Sequence, residues 1–197
     1  MMSPHIYLAS RSPRRVELLH QIGIVCEIIP SDIDESQLPD ELPMDYVARL
    51  ARAKAAACMS RLDGLATMPV LAADTAVAIN GLILGKPESD EEAIAMLARM
   101  SGRWHEVHTA IAVATTEWLE VAISTTRVEM AVLSDAQIAA YAATGEPRDK
   151  AGAYGIQGVA GMFVTRIDGS YTGVMGLPIY ETALLLRKAG INPLSDA

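Results

Sequence analysis

The sequence lacks the features that mark secreted and membrane proteins. It has only two cysteines in 197 residues, Cys26 and Cys58, which cannot staple a small extracellular scaffold through several bridges. No apolar run approaches the roughly 18 residues that a membrane span needs. The first residues place a short apolar stretch before the arginines, which reverses the order found in a signal peptide. We therefore expect a soluble, cytoplasmic protein with reduced thiols and no membrane partner.

Common nucleotide-binding and catalytic motifs are also missing. There is no P-loop, no glycine-rich dinucleotide fingerprint, no G-x-S-x-G elbow and no C-x-x-C pair. His105 and His108 stand in a predicted strand at a spacing that puts them on opposite faces, so they do not form a pair of metal ligands. The formal net charge of -8 provides no general basic field. We therefore expect small-molecule partners and no nucleic acid.

The chain length suits one domain. A chain of 197 residues can bury a substantial core but is short for two independent domains, so 1–197 is assigned to a single domain. Apolar periodicity and capping residues predict alternating strands and helices, and Asn80-Gly81 and Asp168-Gly169 mark hairpins. This interleaving predicts an α/β or α+β fold with a mixed sheet. Strands are predicted at 6–9, 24–29, 70–79, 107–114 and 118–132, and helices at 13–22, 44–59, 89–101, 134–145 and 178–190.

Glycine is concentrated in one part of the chain. Of the 14 glycines, eight lie between Gly145 and Gly176. Because glycine has no side chain, its backbone can approach another group closely. This segment is therefore predicted to form a loop-rich wall that packs closely against something else.

Two arginines stand at an unusual place in the first predicted helix. Arg14 and Arg15 fall in its first turn, where the helix dipole already contributes about half a positive charge. The resulting repulsion makes sense if an anion such as a phosphate binds at the helix end. The alternative is a pair of solvated arginines that lie over the core.

Two charged residues fall within apolar patterns. Lys54 lies on the helical stripe formed by Val47, Leu50 and Cys58, so it should point inward unless it snorkels out from the edge of the stripe. Asp74 interrupts an apolar strand, where an unpaired buried carboxylate would cost several kcal/mol. It needs a partner, a metal or a strand end that opens onto a cleft. The alternative is a structural aspartate bonded to the backbone.

Weaker signals come from a lysine and an acidic run. Lys86 follows the Asn80-Gly81 turn and could return a cation to the same strand end. Asp32, Asp34 and Glu35 form an oxygen-rich cluster, and with so few histidines it favours magnesium or manganese over zinc. A solvated acidic loop explains the same run equally well.

Eight segments form a specific pattern of order and spacing. They are LASRSPRRVELL at 8–19, DIDE at 32–35, ARLARAKA at 48–55, AADT at 72–75, GKP at 85–87, HEVHT at 105–109, GEPRDKAGAYGIQG at 145–158 and IDGSYTGVMGLP at 167–178. Together they resemble the Maf family of nucleotide pyrophosphatases. The resemblance runs from Ile6 to about Leu186, which is nearly the whole chain.

The resemblance implies a fold, a reaction and a site. The fold is an elongated α/β fold with a mixed sheet, flanking helices and two lobes around a central cleft, similar to the inosine triphosphate pyrophosphatases and usually found as a homodimer. The reaction splits a nucleoside triphosphate into its monophosphate and pyrophosphate with a divalent metal, Mg²⁺ or Mn²⁺. By matching positions, the resemblance implies catalytic roles for Asp74, Lys54 and Lys86, with Glu35 and Asp74 around the metal. It implies roles in substrate binding and specificity for Ser10, Arg14, Arg15, Thr75 and Gln157.

The segment around Gln157 indicates a branch of this family. GEPRDKAGAYGIQG resembles the branch that acts on dTTP and UTP, whereas the branch acting on 7-methyl-GTP typically has Ser-Glu-Gly in place of Ile156-Gln157-Gly158. The amide of Gln157 offers an acceptor and a donor that complement the imide edge of uracil or thymine. Hydrolysis of 7-methyl-GTP or inosine triphosphate is the alternative among enzymes. A nucleotide-binding regulator of cell division without turnover is the alternative outside them.

Overall fold

The fold is built on one mixed β-sheet. In the computed structural model, which describes residues 5–64 and 67–193, seven strands form this sheet in the order β2-β1-β3-β5-β6-β7, with β4 beside β3. The parallel pairs are β1 with β2 and β1 with β3, and the other pairs are antiparallel. The predicted mixed sheet is therefore confirmed. The strands are β1 (Ile6–Leu8), β2 (Cys26–Ile28), β3 (Val70–Ile79), β4 (Leu82–Leu84), β5 (Trp104–Ala114), β6 (Leu119–Met130) and β7 (Val164–Asp168).

Helices flank the sheet, as predicted. Within the described residues, no helix is long and apolar enough to cross a membrane. The α-helices are α1 (Pro13–Gln21), α2 (Pro43–Leu62), α3 (Asp90–Met100), α4 (Asp135–Ala142), α5 (Tyr171–Met175) and α6 (Ile179–Lys188). Short 3₁₀ segments are found at Glu146–Asp149, Ala151–Ala153 and Val159–Phe163.

The buried core on one face of β3 is divided in two. Because side chains alternate along a strand, odd-numbered residues of β3 share a face. Leu71 and Ala73 belong to the cluster that includes residues of α1 and α6. Val77 and Ile79 belong to the cluster that includes residues of α3 and α4. Thr75 lies between the two clusters, so the predicted two lobes are confirmed as two parts of one sheet.

The edge of β3 is incomplete in its middle. β1 pairs with the start of β3 at Val70 and Leu71, and β4 pairs with its end from Val77 onward. On this edge no described strand pairs with residues 72–76, whereas the opposite edge is paired with β5 along nearly its whole length. The sheet therefore opens at Asp74.

One predicted turn is confirmed and another is wrong. Asn80 and Gly81 have φ values of 52° and 79°, and they join β3 to β4 in the expected hairpin. Asp168-Gly169 does not form a hairpin. β7 ends at Asp168 and pairs with the preceding strand β6, and the element after the turn is the helix α5. The hydroxyl of Ser170 then accepts the N–H of Gly173 at 3.0 Å and caps α5. The chain does turn at these residues, but the turn joins a strand to a helix.

Leu71 tests the packing of the sheet. Its side chain is completely buried in the cluster beneath α1 and α6, so Leu71→Ala should lower the free energy of unfolding by about 2 to 5 kcal/mol. Chemical denaturation measures this change. Leu184→Ala is the matched control, because Leu184 is 41% exposed on α6 and its loss should cost less than about 1 kcal/mol. Equal effects of the two substitutions would contradict the assignment of Leu71 to the core.

Candidate functional site

A cleft of about 820 Å³ lies at the incomplete edge of β3, between the two lobes. This volume is in the range of pockets that enclose small-molecule ligands. The nine residues to which the family resemblance assigns roles all line it, although they come from segments far apart in the chain. They are Ser10, Arg14, Arg15, Glu35, Lys54, Asp74, Thr75, Lys86 and Gln157. Asp32 and Asp34 of the acidic run do not line it: Asp32 pairs with Arg11 and Asp34 accepts the N–H of Ser36.

Asp74 and Lys54 form a buried ion pair at the floor of the cleft. Asp74 is 6% exposed and Lys54 is 9% exposed, and the Nζ of Lys54 donates to Oδ1 of Asp74 at 2.6 Å. Burial raises the pKa of the Asp74 carboxyl, while the ammonium of Lys54 opposes this shift. Lys54 points inward because it follows Val47 and Leu50 on the buried face of α2. The inward orientation predicted for Lys54 and the partner required for Asp74 are both confirmed.

The ammonium of Lys54 also binds a second carboxylate. Oε1 of Glu35 lies 2.8 Å from Nζ, and the Glu35 side chain is half exposed. One cation thus joins the acidic loop that precedes α2 to the floor of the cleft. No hydrogen bond from a described residue engages Oδ2 of Asp74, so this oxygen is available to a ligand.

The guanidinium of Arg15 is already bound by three groups of the protein. Its Nε donates to the carbonyl of Gly176 at 2.8 Å and its Nη1 donates to Oγ of Ser10 at 2.9 Å. A longer contact of 3.4 Å joins Nη2 to Oγ1 of Thr75. Burial lowers the pKa of the guanidinium, partly offset by the charge of Asp74, but arginine remains cationic in proteins. Arg15 therefore ties α1 to the end of α5 while contributing charge to the cleft.

The other two predicted cations are differently placed. Arg14 faces Asp149, with 3.6 Å between Nη1 and Oδ2, so this ion pair spans the cleft from α1 to the opposite wall. Lys86 is exposed at the rim, and no ion pair or hydrogen bond joins its side chain to another residue in the described ranges. To bind an anion, Arg14 would have to break its ion pair with Asp149, whereas the side chain of Lys86 would have no ion pair to break within the described ranges.

The opposite wall contains charged residues that the sequence analysis did not select. Glu146, Asp149 and Lys150 line the cleft together with Tyr154. The Nζ of Lys150 donates to the carbonyl of Glu146 and to Oδ1 of Asp149, both at 2.6 Å. These residues stand in the same glycine-rich segment as Gln157, and that proximity was the available signal. The prediction that this segment forms a loop-rich wall is confirmed.

A histidine that the sequence analysis set aside supports this wall from behind. His105 is 2% exposed, and its Nε2 lies 2.7 Å from the hydroxyl of Tyr154. Burial lowers the pKa of His105 to about 4, so the ring is neutral near pH 7. His108 contacts Thr125 instead, at 3.0 Å. The two histidines do not converge, which agrees with their predicted placement.

The acidic side of the cleft has the donors that a hard divalent cation uses. Glu35 and Asp74 supply carboxylate oxygens that already converge on one cation, the Nζ of Lys54. Magnesium is commonly bound by one or two carboxylates together with phosphate oxygens and waters. No group of three or more His, Cys, Asp or Glu residues within 5–64 and 67–193 forms a complete protein cage for a metal. The residues present therefore fit a metal that is completed by a phosphate ligand.

These features define a cleft lined by several cations, with a buried carboxylate at its floor. The chain belongs to the Maf family, because the family model described as Maf-like protein matches residues 5–189. This result confirms the resemblance found in the sequence. It also covers every residue that lines the cleft.

Curated relatives extend over almost the whole chain. A dTTP/UTP pyrophosphatase of Methylobacillus flagellatus is 70% identical over 186 residues, which cover 94% of this chain and 93% of the relative. A dTTP/UTP pyrophosphatase of Bordetella parapertussis is 53% identical, over 95% of this chain and 94% of the relative. A nucleoside triphosphate pyrophosphatase of Haemophilus ducreyi is 47% identical, over 98% of this chain and 99% of the relative. Among solved structures, the Staphylococcus aureus Ham1 protein is 18% identical with a TM-score of 0.45, over 64% of this chain and 71% of that chain.

Lys54→Met tests the ion pair at the floor of the cleft. The substitution removes the ammonium but keeps an unbranched apolar stem of similar size, which leaves the Asp74 carboxylate buried without its partner. The free energy of unfolding of the ligand-free protein should fall by about 2 to 4 kcal/mol, as measured by chemical denaturation at pH 8. Adding Asp74→Asn to the same chain should recover part of this loss. Without such recovery, Lys54 would stabilise the protein through packing of its stem rather than through Asp74.

Proposed function

We propose that this protein hydrolyses dTTP and UTP to the nucleoside monophosphate and pyrophosphate. The observation that carries the proposal is the buried Asp74 carboxylate, held by Lys54 at the floor of a cleft whose walls supply further cations. The names of the relatives at 70% and 53% identity support the choice of substrate.

The cations of the cleft would bind the triphosphate. Arg14, Arg15, Lys54 and Lys86 all line it, and a triphosphate carries several negative charges that they would neutralise. Catalysis of phosphoryl chemistry depends mainly on positioning and on such charge stabilisation. The hydroxyls of Ser10 and Thr75 contact Arg15 and would keep its guanidinium directed at the phosphates.

Glu35 and Asp74 would hold a divalent cation, Mg²⁺ or Mn²⁺. When bound, such an ion supplies positive charge to the phosphate oxygens. Lys54 contacts both carboxylates, so it would keep their oxygens together on one side of the cleft. The substrate phosphates would then complete the set of ligands.

Asp74 would act on the attacking water. Because burial raises the pKa of its carboxyl, Asp74 is a better proton acceptor than an exposed aspartate. This role is the alternative to metal binding by Asp74, because Oδ1 is held by Lys54 and only Oδ2 is free of hydrogen bonds from the described residues. A water on Oδ2 would give a proton to the carboxylate and form a new bond to the α-phosphorus. The bond from the α-phosphorus to the bridging oxygen would break, and the electron pair would leave with pyrophosphate.

Gln157 would read the base. Its side chain is exposed on the cleft wall, and no described residue forms a hydrogen bond with its amide. Thymine and uracil present an N–H donor beside a carbonyl acceptor, which one amide group can satisfy at the same time. This pairing supports thymine and uracil over cytosine and adenine, whose edges have a different order of donor and acceptor.

The protein would act as a homodimer in the cytoplasm. The dimer is proposed from the family resemblance alone. The location is supported by Cys26 and Cys58, both of which are free thiols as expected in a reducing compartment.

Pyrophosphate release from a panel of nucleotides tests the proposal. With Mg²⁺ or Mn²⁺ the wild-type protein should release pyrophosphate from dTTP and UTP faster than from 7-methyl-GTP, inosine triphosphate or the other common nucleotides. Asp74→Asn should retain less than about a tenth of this rate, a change of about 1.4 kcal/mol in the barrier. Asp45→Asn, on an exposed turn of α2 outside the cleft, should retain full rate. Faster release from another nucleotide would contradict the proposed substrates. No release of pyrophosphate from any nucleotide would contradict the proposed enzymatic activity.

Gln157→Glu tests the reading of the base. Glutamate keeps the acceptors but loses the donor to the base carbonyl, and this should cost on the order of 1 to 3 kcal/mol for dTTP and UTP. We expect a selective fall in kcat/KM for these two nucleotides, with a smaller loss for GTP, whose N1–H and N2–H₂ can donate to the carboxylate. An equal fall for all nucleotides would show that Gln157 does not contact the base.

A further inference from the structure

The side chain of Gln157 is presented by a tight turn. The N–H of Gly158 donates to the carbonyl of Gly155 at 3.0 Å, which closes the turn around Ile156 and Gln157. The Ile156 side chain packs against the buried clusters of both lobes, whereas the Gln157 side chain is exposed. The position of the Gln157 amide is therefore determined by the turn and not by contacts of its own.

The carboxylate of Glu146 lies directly against this turn. Its Oε2 accepts the N–H of Val159, the first residue after the turn, at 2.9 Å. Its Oε1 accepts the hydroxyl of Tyr141 at 2.9 Å, and Tyr141 is buried at 2% exposure on α4. Because each oxygen already accepts a hydrogen bond from the protein, the carboxylate connects the turn to the core.

Gly158 is a glycine because of this carboxylate. Its φ of -98° and ψ of -155° are accessible to any residue, so the backbone conformation does not require glycine. A Cβ at this position, however, would lie 2.3 Å from Oε1 and 2.5 Å from Oε2 of Glu146. The backbone of the turn therefore packs directly against the carboxylate, and a side chain at position 158 would collide with it.

Lys150 supports the other end of the turn in the same way. A Cβ on Gly155 would lie 2.6 Å from Cε of Lys150, and the Nζ of Lys150 donates to the carbonyl of Glu146. The two side chains form one platform beneath the turn, and its charged groups are fixed by hydrogen bonds. Because these two side chains pack against the backbone of the turn, they can fix its position and orientation relative to the cleft.

From this geometry we infer that Glu146 is a positioning residue that sets substrate specificity, because it fixes the Gly155–Gly158 turn so that Gln157 meets the base. The inference rests on the proposed function. Glu146 acts through Gln157 and does not bind the triphosphate. Its loss should therefore weaken recognition of the base and leave recognition of the phosphates intact.

Steady-state kinetics of three variants test this role. Glu146→Ala removes the carboxylate, and Gly158→Ala pushes it out of place by steric conflict. Each should raise KM for dTTP and UTP about 10-fold and reduce the preference for these nucleotides over GTP. Glu146→Gln should stay close to wild type, because its amide can accept from the N–H of Val159 and donate to the hydroxyl oxygen of Tyr141.

Inorganic tripolyphosphate separates the two parts of the substrate, because it has no base. The inhibition constant of tripolyphosphate should be the same, within about twofold, for the wild-type protein, Glu146→Ala and Gly158→Ala. The double variant provides a second check. This variant combines Glu146→Ala with Gly158→Ala. Because Glu146→Ala removes the carboxylate that the Cβ at position 158 would meet, the KM of the double variant for dTTP and UTP should be no higher than that of either single variant.

The wild-type rate on dTTP reports on the proposed function, and the variants report on Glu146. If the wild-type protein turns over dTTP but Glu146→Ala keeps its KM and its base preference, Glu146 does not position Gln157. A double variant as weak as the product of the single effects would also overturn the inference, since the two residues would then act independently. Equal loss of tripolyphosphate inhibition and of dTTP binding would assign Glu146 to the general integrity of the cleft, and melting temperatures of all variants would identify a folding defect.

Discussion

The ion pair between Lys54 and Asp74 is the interaction on which the rest of the site depends. A carboxylate in the middle of β3 lies among buried alanines and would be costly there without a cation. α2 supplies this cation from the inner face of its apolar stripe, and the same ammonium draws Glu35 toward the floor of the cleft. One ammonium thus links a helix, a strand and an acidic loop. A pair of this kind contributes more to arrangement than to stability, because desolvation offsets much of its attraction.

The incomplete edge of β3 explains why the charges lie where they do. A buried strand normally satisfies its polar backbone groups through partners on both edges. Residues 72–76 have a strand partner on one edge only among the described residues, so polar groups gather at the open edge. Most cleft cations already face carboxylates, such as Arg14 with Asp149 and Lys54 with Glu35. Under the proposed function, a triphosphate would exchange partners with these carboxylates, because the cleft carries no large uncompensated positive charge despite its many basic residues.

The sequence predicted those parts of the structure that depend on local periodicity. The bounds of β3 match the prediction at 70–79, and the apolar stripe of α2 was sufficient to place Lys54 inside. Nine residues of the cleft lining were also predicted, because the family pattern carries them in order, but Glu146, Asp149 and Lys150 were not. What could not be predicted depends on contacts between distant segments. Nothing near Arg15 in the chain indicates that it binds the carbonyl of Gly176, and nothing near Gly158 alone indicates a carboxylate beneath it. The turn at Asp168-Gly169 was misread because turn residues do not specify which element follows.

The continuity of the sheet has a mechanical consequence. β3, β5 and β6 run through both lobes without a linker, and they are joined by regular ladders along their lengths. Hinge motions need a few residues that absorb large changes in φ and ψ, and paired strands at the floor of the cleft resist such changes. The two lobes therefore cannot swing apart like the halves of a hinged enzyme without twisting a shared β-sheet. Any adjustment to a bound molecule is therefore expected in the loops at the rim and not in the sheet at the floor of the cleft.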